Sequence, residues 1–193
     1  MALVQSIHYL SVKAYLAGER DSEIRHEYVD GVIHAMAGAS VNHNKITANV
    51  LTQLMVQLKN KDCRPYSSDL LVKTAANRYR YPDVLVVCHE QFLDDYSTNA
   101  PVIIFEALSK ATRQVDRKQK LFEYLQLPSL LEYVLIEQDW VEIEVLRRSQ
   151  NWRPDYYYWG DTISLASVGA SLSAVDIYEQ VVNADVLAAK HQE

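Results

Sequence analysis

Two short apolar runs in this chain each meet a carboxylate, and that pairing restricts its possible folds more than any other feature. The first run is Tyr81-Pro82-Asp83-Val84-Leu85-Val86-Val87-Cys88, with Asp83 at its head. The second is Pro101-Val102-Ile103-Ile104-Phe105-Glu106-Ala107-Leu108, with Glu106 near its end. Short runs this rich in β-branched residues read as buried strands. An ionised carboxylate buried there without a partner is disfavoured by several kcal/mol. Two such acids on neighbouring strands require something positive between them, and a divalent metal ion is the simplest candidate.

The 193 residues suffice for one domain with a substantial core, so residues 1–193 are expected to form a single α/β domain. No run is long and apolar enough to span a bilayer, and Met1 to Leu16 lacks the pattern of a signal peptide. Cys63 and Cys88 suggest neither a disulfide framework nor metal-ligand spacing, and Cys88 reads as a small core residue. A cytoplasmic protein is therefore expected. The net charge of -6 argues against a protein that coats nucleic acid, but not against an enzyme with basic residues on one face. Lys59, Lys61, Arg64, Lys73, Arg78 and Arg80 precede Asp83; Lys110, Arg113, Arg117, Lys118 and Lys120 follow Glu106. Such clusters are commonly solvated faces, but here both flank the same two acids.

Periodicity predicts a helix over Val12 to Gly18 and a hairpin over Ile24 to Met36, turning at Asp30-Gly31. A helix from Val41 to Leu58 follows, with Ile46, Val50, Leu51, Leu54, Met55 and Leu58 on its apolar face. Strands are expected over Tyr66 to Thr74, Asp83 to Cys88 and Val102 to Leu108, with a polar loop from Glu90 to Asn99. Next come a helix over Arg113 to Gln126, strands over Leu131 to Ile136 and Val141 to Arg147, and a closing helix over Val175 to Ala189. The aromatic cluster Trp152, Tyr156, Tyr157, Tyr158 and Trp159 suits a core or subunit interface better than base stacking. No phosphate loop of the Walker type, serine nucleophile elbow or zinc spacing is present.

This order of elements and acids resembles the PD-(D/E)XK nuclease superfamily and, within it, the Uma-type "putative restriction endonuclease" family. The resemblance runs from about Tyr15 to Tyr178. It is carried by Glu27-Tyr28-Val29-Asp30-Gly31, the His43 region, Ser68-Asp69-Leu70, Tyr81-Pro82-Asp83-Val84, Phe105-Glu106-Ala107-Leu108-Ser109, Asp116-Arg117-Lys118-Gln119-Lys120 and Leu131-Glu132-Tyr133-Val134-Leu135. It implies a restriction-endonuclease-like α/β core, a mixed β-sheet flanked by helices. It also implies metal-dependent hydrolysis of phosphodiester bonds, with DNA as substrate and a homodimer as the assembly.

Mg²⁺ or Mn²⁺ suits such oxygen ligands, and Mg²⁺ keeps several waters while taking one or two carboxylates. By resemblance Asp83 and Glu106 are those carboxylates, and the Ala107 carbonyl is a third ligand. The superfamily places a lysine two positions after the second acid, where this chain has Leu108. The resembled family's lysine matches Lys120 on the following helix, where Asp116, Lys120 and Tyr124 share a face. The alternative is an ordinary Asp116–Lys120 surface pair. Glu27 is a candidate further ligand or holder of a metal-bound water, or simply a hairpin-edge carboxylate. His43 is a candidate for phosphate contact or proton transfer, or packs at a helix start. Asp69 is a supporting candidate or a partner for a basic neighbour. Leu108 and the acidic net charge leave a second expectation, a catalytically silent nuclease fold that binds nucleic acid or a protein.

Overall fold

In the computed structural model, which describes residues 9–191, the chain's strands divide between two sheets and a separate hairpin. The six-stranded sheet has the order β11-β10-β9-β8-β6-β3. These strands are Pro154–Tyr157 (β11), Ile143–Arg147 (β10), Glu132–Glu137 (β9), Pro101–Leu108 (β8), Val84–Cys88 (β6) and Cys63–Ser67 (β3). Only β8 and β9 pair in parallel; the rest pair antiparallel. The two acid-bearing runs are thus the adjacent central strands β6 and β8, buried on both faces as their unbroken apolar pattern requires.

One face of this sheet is covered by helix α2, Val41–Gln57, through Ile46, Val50, Leu54 and Leu58. The other is covered by α3, a composite helix over residues 113–125, through Tyr124, followed by Leu127 and Leu130. The result is a mixed sheet between helices. Met55, placed on the apolar face of α2 by periodicity, is 53% exposed.

The five-stranded sheet has the order β2-β1-β5-β4-β7. Its hairpin, His26–Val29 (β1) and Val32–Ala35 (β2), turns at Asp30 (φ 49°) and Gly31 (φ 97°). Positive φ at both central residues is what a two-residue hairpin turn needs, and it is why Asp-Gly stands there. Leu71–Ala75 (β4), Arg78–Arg80 (β5) and Ser97–Thr98 (β7) complete the sheet, and Tyr15 of α1 (Val12–Arg20) stacks on Tyr28 against it.

Several expectations are corrected. The run Tyr66 to Thr74 is two strands in different sheets, broken at Ser68-Asp69, because turn-forming polar residues interrupt its apolar pattern. The first helix passes Gly18 and ends at Arg20. The closing helix is instead Ala174–Ile177 and Ala184–Lys190; Gln180 between them has φ 60°, and Asn183 caps the second. The final strand of the hairpin Thr162–Leu165 and Ala170–Ser173 precedes them. Tyr157 and Trp159 pack on the core, whereas Tyr156 and Tyr158 remain about half exposed.

The cysteines are also corrected. Antiparallel pairing sets Cys63 directly opposite Cys88, and the two form a disulfide across 25 positions of sequence, a separation that concealed their proximity. Chain entropy gives a loop of this size a stabilisation of about 3.5 kcal/mol. Reduction is therefore expected to lower unfolding free energy by about that amount, read from urea titrations with and without a reductant. A midpoint unmoved by reduction would show that the crosslink is not formed. Among the described residues, no helix is long and apolar enough to cross a membrane.

Candidate active site

The register pairing Val84 with Phe105 brings Asp83, just ahead of β6, beside Glu106 on β8. The Ala107 N–H donates to Asp83 Oδ2 at 2.7 Å, and the Asp83 N–H to Glu106 Oε2 at 3.4 Å. A residue in an extended strand sends its N–H and C=O to the same side, so the Ala107 carbonyl also faces Asp83. Glu106 alternates with Ile104 and Leu108 onto the face covered by α3.

Helix α3 brings the remaining groups. Its central segment, Asp116–Lys120, is a π-helical turn in which the Leu121 N–H reaches back to the Asp116 carbonyl. Such turns recur at functional sites. Here Asp116, Lys120 and Tyr124 turn inward, whereas Phe122 is left 67% exposed. The surface-pair alternative for Lys120 is thereby contradicted. Its Nζ is buried 3.1 Å from Glu106 Oε1, 3.2 Å from Glu27 Oε1 and 3.2 Å from Asp116 Oδ1. Tyr124 donates its hydroxyl to the same Glu106 oxygen at 3.0 Å.

Glu27 on β1 accepts from Arg80 Nη1 at 2.7 Å, and Arg80 binds both oxygens of Glu123. His43 lies in the first turn of α2. Its backbone N–H is capped by Ser40, while its ring Nε2 sits 3.1 Å from Asp83 Oδ2. The helix-start and site readings of His43 therefore coexist. Glu27, His43, Arg80, Asp83, Glu106, Asp116 and Lys120 line an open pocket of about 870 Å³, together with His34, Lys110 and Gln138. Asp69 is not among them. It lies on the turn after β3, its side chain 75% exposed and paired with Arg25, so it supports none of these residues.

The site has too little positive charge for its acids. Glu27, Glu106, Asp116 and Glu123 pair with the buried cations Arg80 and Lys120, Arg78 also reaches Glu123, and Asp83 pairs with His43. Burial pushes the Glu106 carboxyl well above its usual range; Lys120 opposes this, and Asp83, Asp116 and Glu27 add to it. Burial likewise raises Asp116. Glu27 goes the other way: burial favours its neutral form, but Lys120 and Arg80 outweigh it and hold the carboxyl low. Burial also opposes charge on Lys120, yet the surrounding acids hold its ammonium well above the ordinary lysine value. For His43 the contact with Asp83 outweighs burial and raises the imidazole. Within the site, the buried His43 Nδ1 has no hydrogen-bond partner among the described residues, and the buried Asp116 Oδ1 has the Lys120 ammonium beside it as an ion-pair partner.

This donor set fits a hard divalent cation. Among the described residues no three His, Cys, Asp or Glu side chains are grouped so as to hold a metal ion by themselves. An ion that keeps several waters needs no cage: two carboxylates and a carbonyl facing a pocket meet its requirement. The excess of carboxylates gives the charge such an ion would offset.

The fold brings together Asp83, Glu106, Ala107, Glu27, His43 and Lys120, the positions singled out in the sequence, and puts Tyr124 on the same face of α3 as Lys120. Not evident from the sequence were the burial of Asp116 in the site and the pairing of Arg80 with Glu123. The available signals were Arg80 three positions before Asp83 and the Asp116-Lys120-Glu123-Tyr124 spacing on one helix.

Fold and pocket together define a mixed α/β protein of the restriction-endonuclease-like class. The chain belongs to the Uma2 family, described as "Putative restriction endonuclease", whose model matches residues 12–175. It is 34% identical to the uncharacterised Synechocystis protein slr1290 over 175 residues, 88% of this chain and 91% of that one. It is 33% identical to a second uncharacterised Synechocystis protein, sll1609, over 148 residues, 75% of this chain and 84% of that one. The crystal structure of a "putative nuclease belonging to DUF820" from Anabaena variabilis superposes with a TM-score of 0.70, covering 83% of this chain and 93% of that one at 17% identity.

Proposed function

We propose that this chain is a divalent-metal-dependent endonuclease that hydrolyses phosphodiester bonds of DNA, working as a homodimer whose two sites address two strands. The observation that carries this reading is the adjacency of Asp83, Glu106 and the Ala107 backbone in a pocket with more carboxylates than cations. Membership of a family so described supports it. Mg²⁺ or Mn²⁺ held by these three groups would polarise the scissile phosphate and acidify a water.

The chain's own residues supply the rest. Lys120 takes the task that Leu108 cannot perform: its ammonium orients the attacking water or offsets charge developing on phosphate. His43 lies against Asp83 with its second nitrogen unpartnered, a position suited to moving a proton. Glu27 has one oxygen on Lys120 and the other on Arg80, so we assign it to holding the lysine and, through it, the water.

The test is plasmid cleavage with Mg²⁺ or Mn²⁺, with and without EDTA, for wild type and Asp83→Ala. Cleavage is expected to require the ion and to fall more than about 100-fold in the variant, exceeding the typical loss from removing a supporting partner of a metal ligand. Activity surviving both chelation and substitution would sink the metal mechanism. A folded wild type that cuts nothing and gains no stability from Mn²⁺ would favour the silent binding module.

A further inference from the structure

Glu27 is held by a buried ion pair that lies outside the reacting groups. Arg80 is 3% exposed; its Nε and Nη2 bind the two oxygens of Glu123 at 2.9 and 2.6 Å, and its Nη1 binds Glu27 Oε2 at 2.7 Å. Thr74 Oγ1 and Arg78 Nη1 fix Glu123 further, at 3.2 and 3.3 Å. The other Glu27 oxygen faces Lys120 Nζ. The contacts form a ring: they leave α3 at Glu123, pass through β5 and β1, and return to α3 at Lys120, three residues from the start. Only a guanidinium can do this, because its planar fork grips one carboxylate with two N–H groups and still has a third for the next.

We propose that Arg80 and Glu123 are positioning residues, which fix Glu27 as a strut against Lys120 so that the ammonium points at Glu106 and the pocket. This rests on the reading of Lys120 as a group that acts at the phosphate. A merely structural pair would add rigidity without affecting the lysine.

The test uses the double variant Arg80→Met/Glu123→Gln, which removes one positive and one negative charge, an exchange that buried pairs often tolerate without loss of stability. Lys120 labelling by a mild acetylating ester, read by mass spectrometry on the folded protein, is expected to quicken about 10-fold or more as the ammonium loses its strut. In plasmid cleavage, kcat is expected to fall on the order of 10²-fold while KM and the Mn²⁺ midpoint stay within about twofold. Unchanged labelling overturns the proposal, whatever kcat does. Faster labelling with an unchanged kcat overturns it too. If wild type does not cleave, the nuclease reading fails, and the labelling comparison still judges the clamp. Should the double variant not fold, Arg80→Lys serves instead, because its single ammonium cannot bridge both carboxylates.

Discussion

Replacing Lys120 with methionine is expected to destabilise the metal-free protein by about 3–5 kcal/mol and to abolish cleavage, because the change strands buried acids. In the native site one ammonium lies within 3.2 Å of Glu27, Glu106 and Asp116. Methionine matches the length of the stem and packs in its place, so little apolar contact is lost. What is lost is the cation those carboxylates were folded around. Removing one partner of a buried cluster is far more damaging than replacing the whole cluster with apolar groups. Urea titration of both proteins in EDTA measures the difference. Mn²⁺ should restore part of the stability, since a bound ion supplies positive charge to the same acids, but not the activity, since the ion cannot replace a group that orients water. A loss below about 0.5 kcal/mol would mean that the lysine behaves as a solvated helix pair. Full cleavage by a folded variant would remove Lys120 from the reaction.

The parts of this site legible in the sequence are those written into strands. Asp83 and Glu106 stood out because unbroken β-branched runs announce burial, and a charge at the end of such a run conflicts with it. The hairpin holding Glu27 was announced by Asp30-Gly31, a pair selected for backbone dihedrals. Asp116 was harder to see: an acid four residues before a lysine is among the commonest exposed patterns. Its burial is set by how the helix face that it shares with Lys120 and Tyr124 docks on the sheet, which no local propensity encodes. The contact between Arg80 and Glu123 was invisible for a related reason. Their pairing spans 43 positions and depends on β5, a three-residue strand too short for periodicity to register. The Cys63–Cys88 bond was missed through the same long-range logic, since only the register of β3 against β6 brings the two together.

Replacing Glu106 with glutamine is expected to have the opposite effect on folding: a more stable metal-free protein that no longer responds to the ion. The Glu106 carboxyl is held well above its ordinary value near 4.5, chiefly by burial and despite Lys120. A carboxyl raised on folding contributes stability that is fully present below its unfolded value and is lost as pH rises through its folded value. Ionised Glu106 is therefore a liability to the folded state near neutrality, one that glutamine does not carry. At pH 8 in EDTA the variant should be more stable by about 0.5–2 kcal/mol, the usual size of a single stabilising substitution. At pH 5 the gap should narrow, because the wild-type carboxyl takes up its proton. Glu27, lowered on folding, gives the reverse pH trend, but it is present in both proteins and largely cancels in their difference. Adding Mn²⁺ at a hundredfold excess over its dissociation constant should stabilise wild type by about 2.7 kcal/mol and the variant by much less. Thermal melts at the two pH values, with and without Mn²⁺, measure all four quantities. If the variant is less stable at pH 8, the ion pair with Lys120 outweighs burial, and Glu106 serves the fold. If it is more stable but inert to Mn²⁺, then Glu106 weakens the empty fold and strengthens the loaded one, as expected of an acid retained to hold a cation.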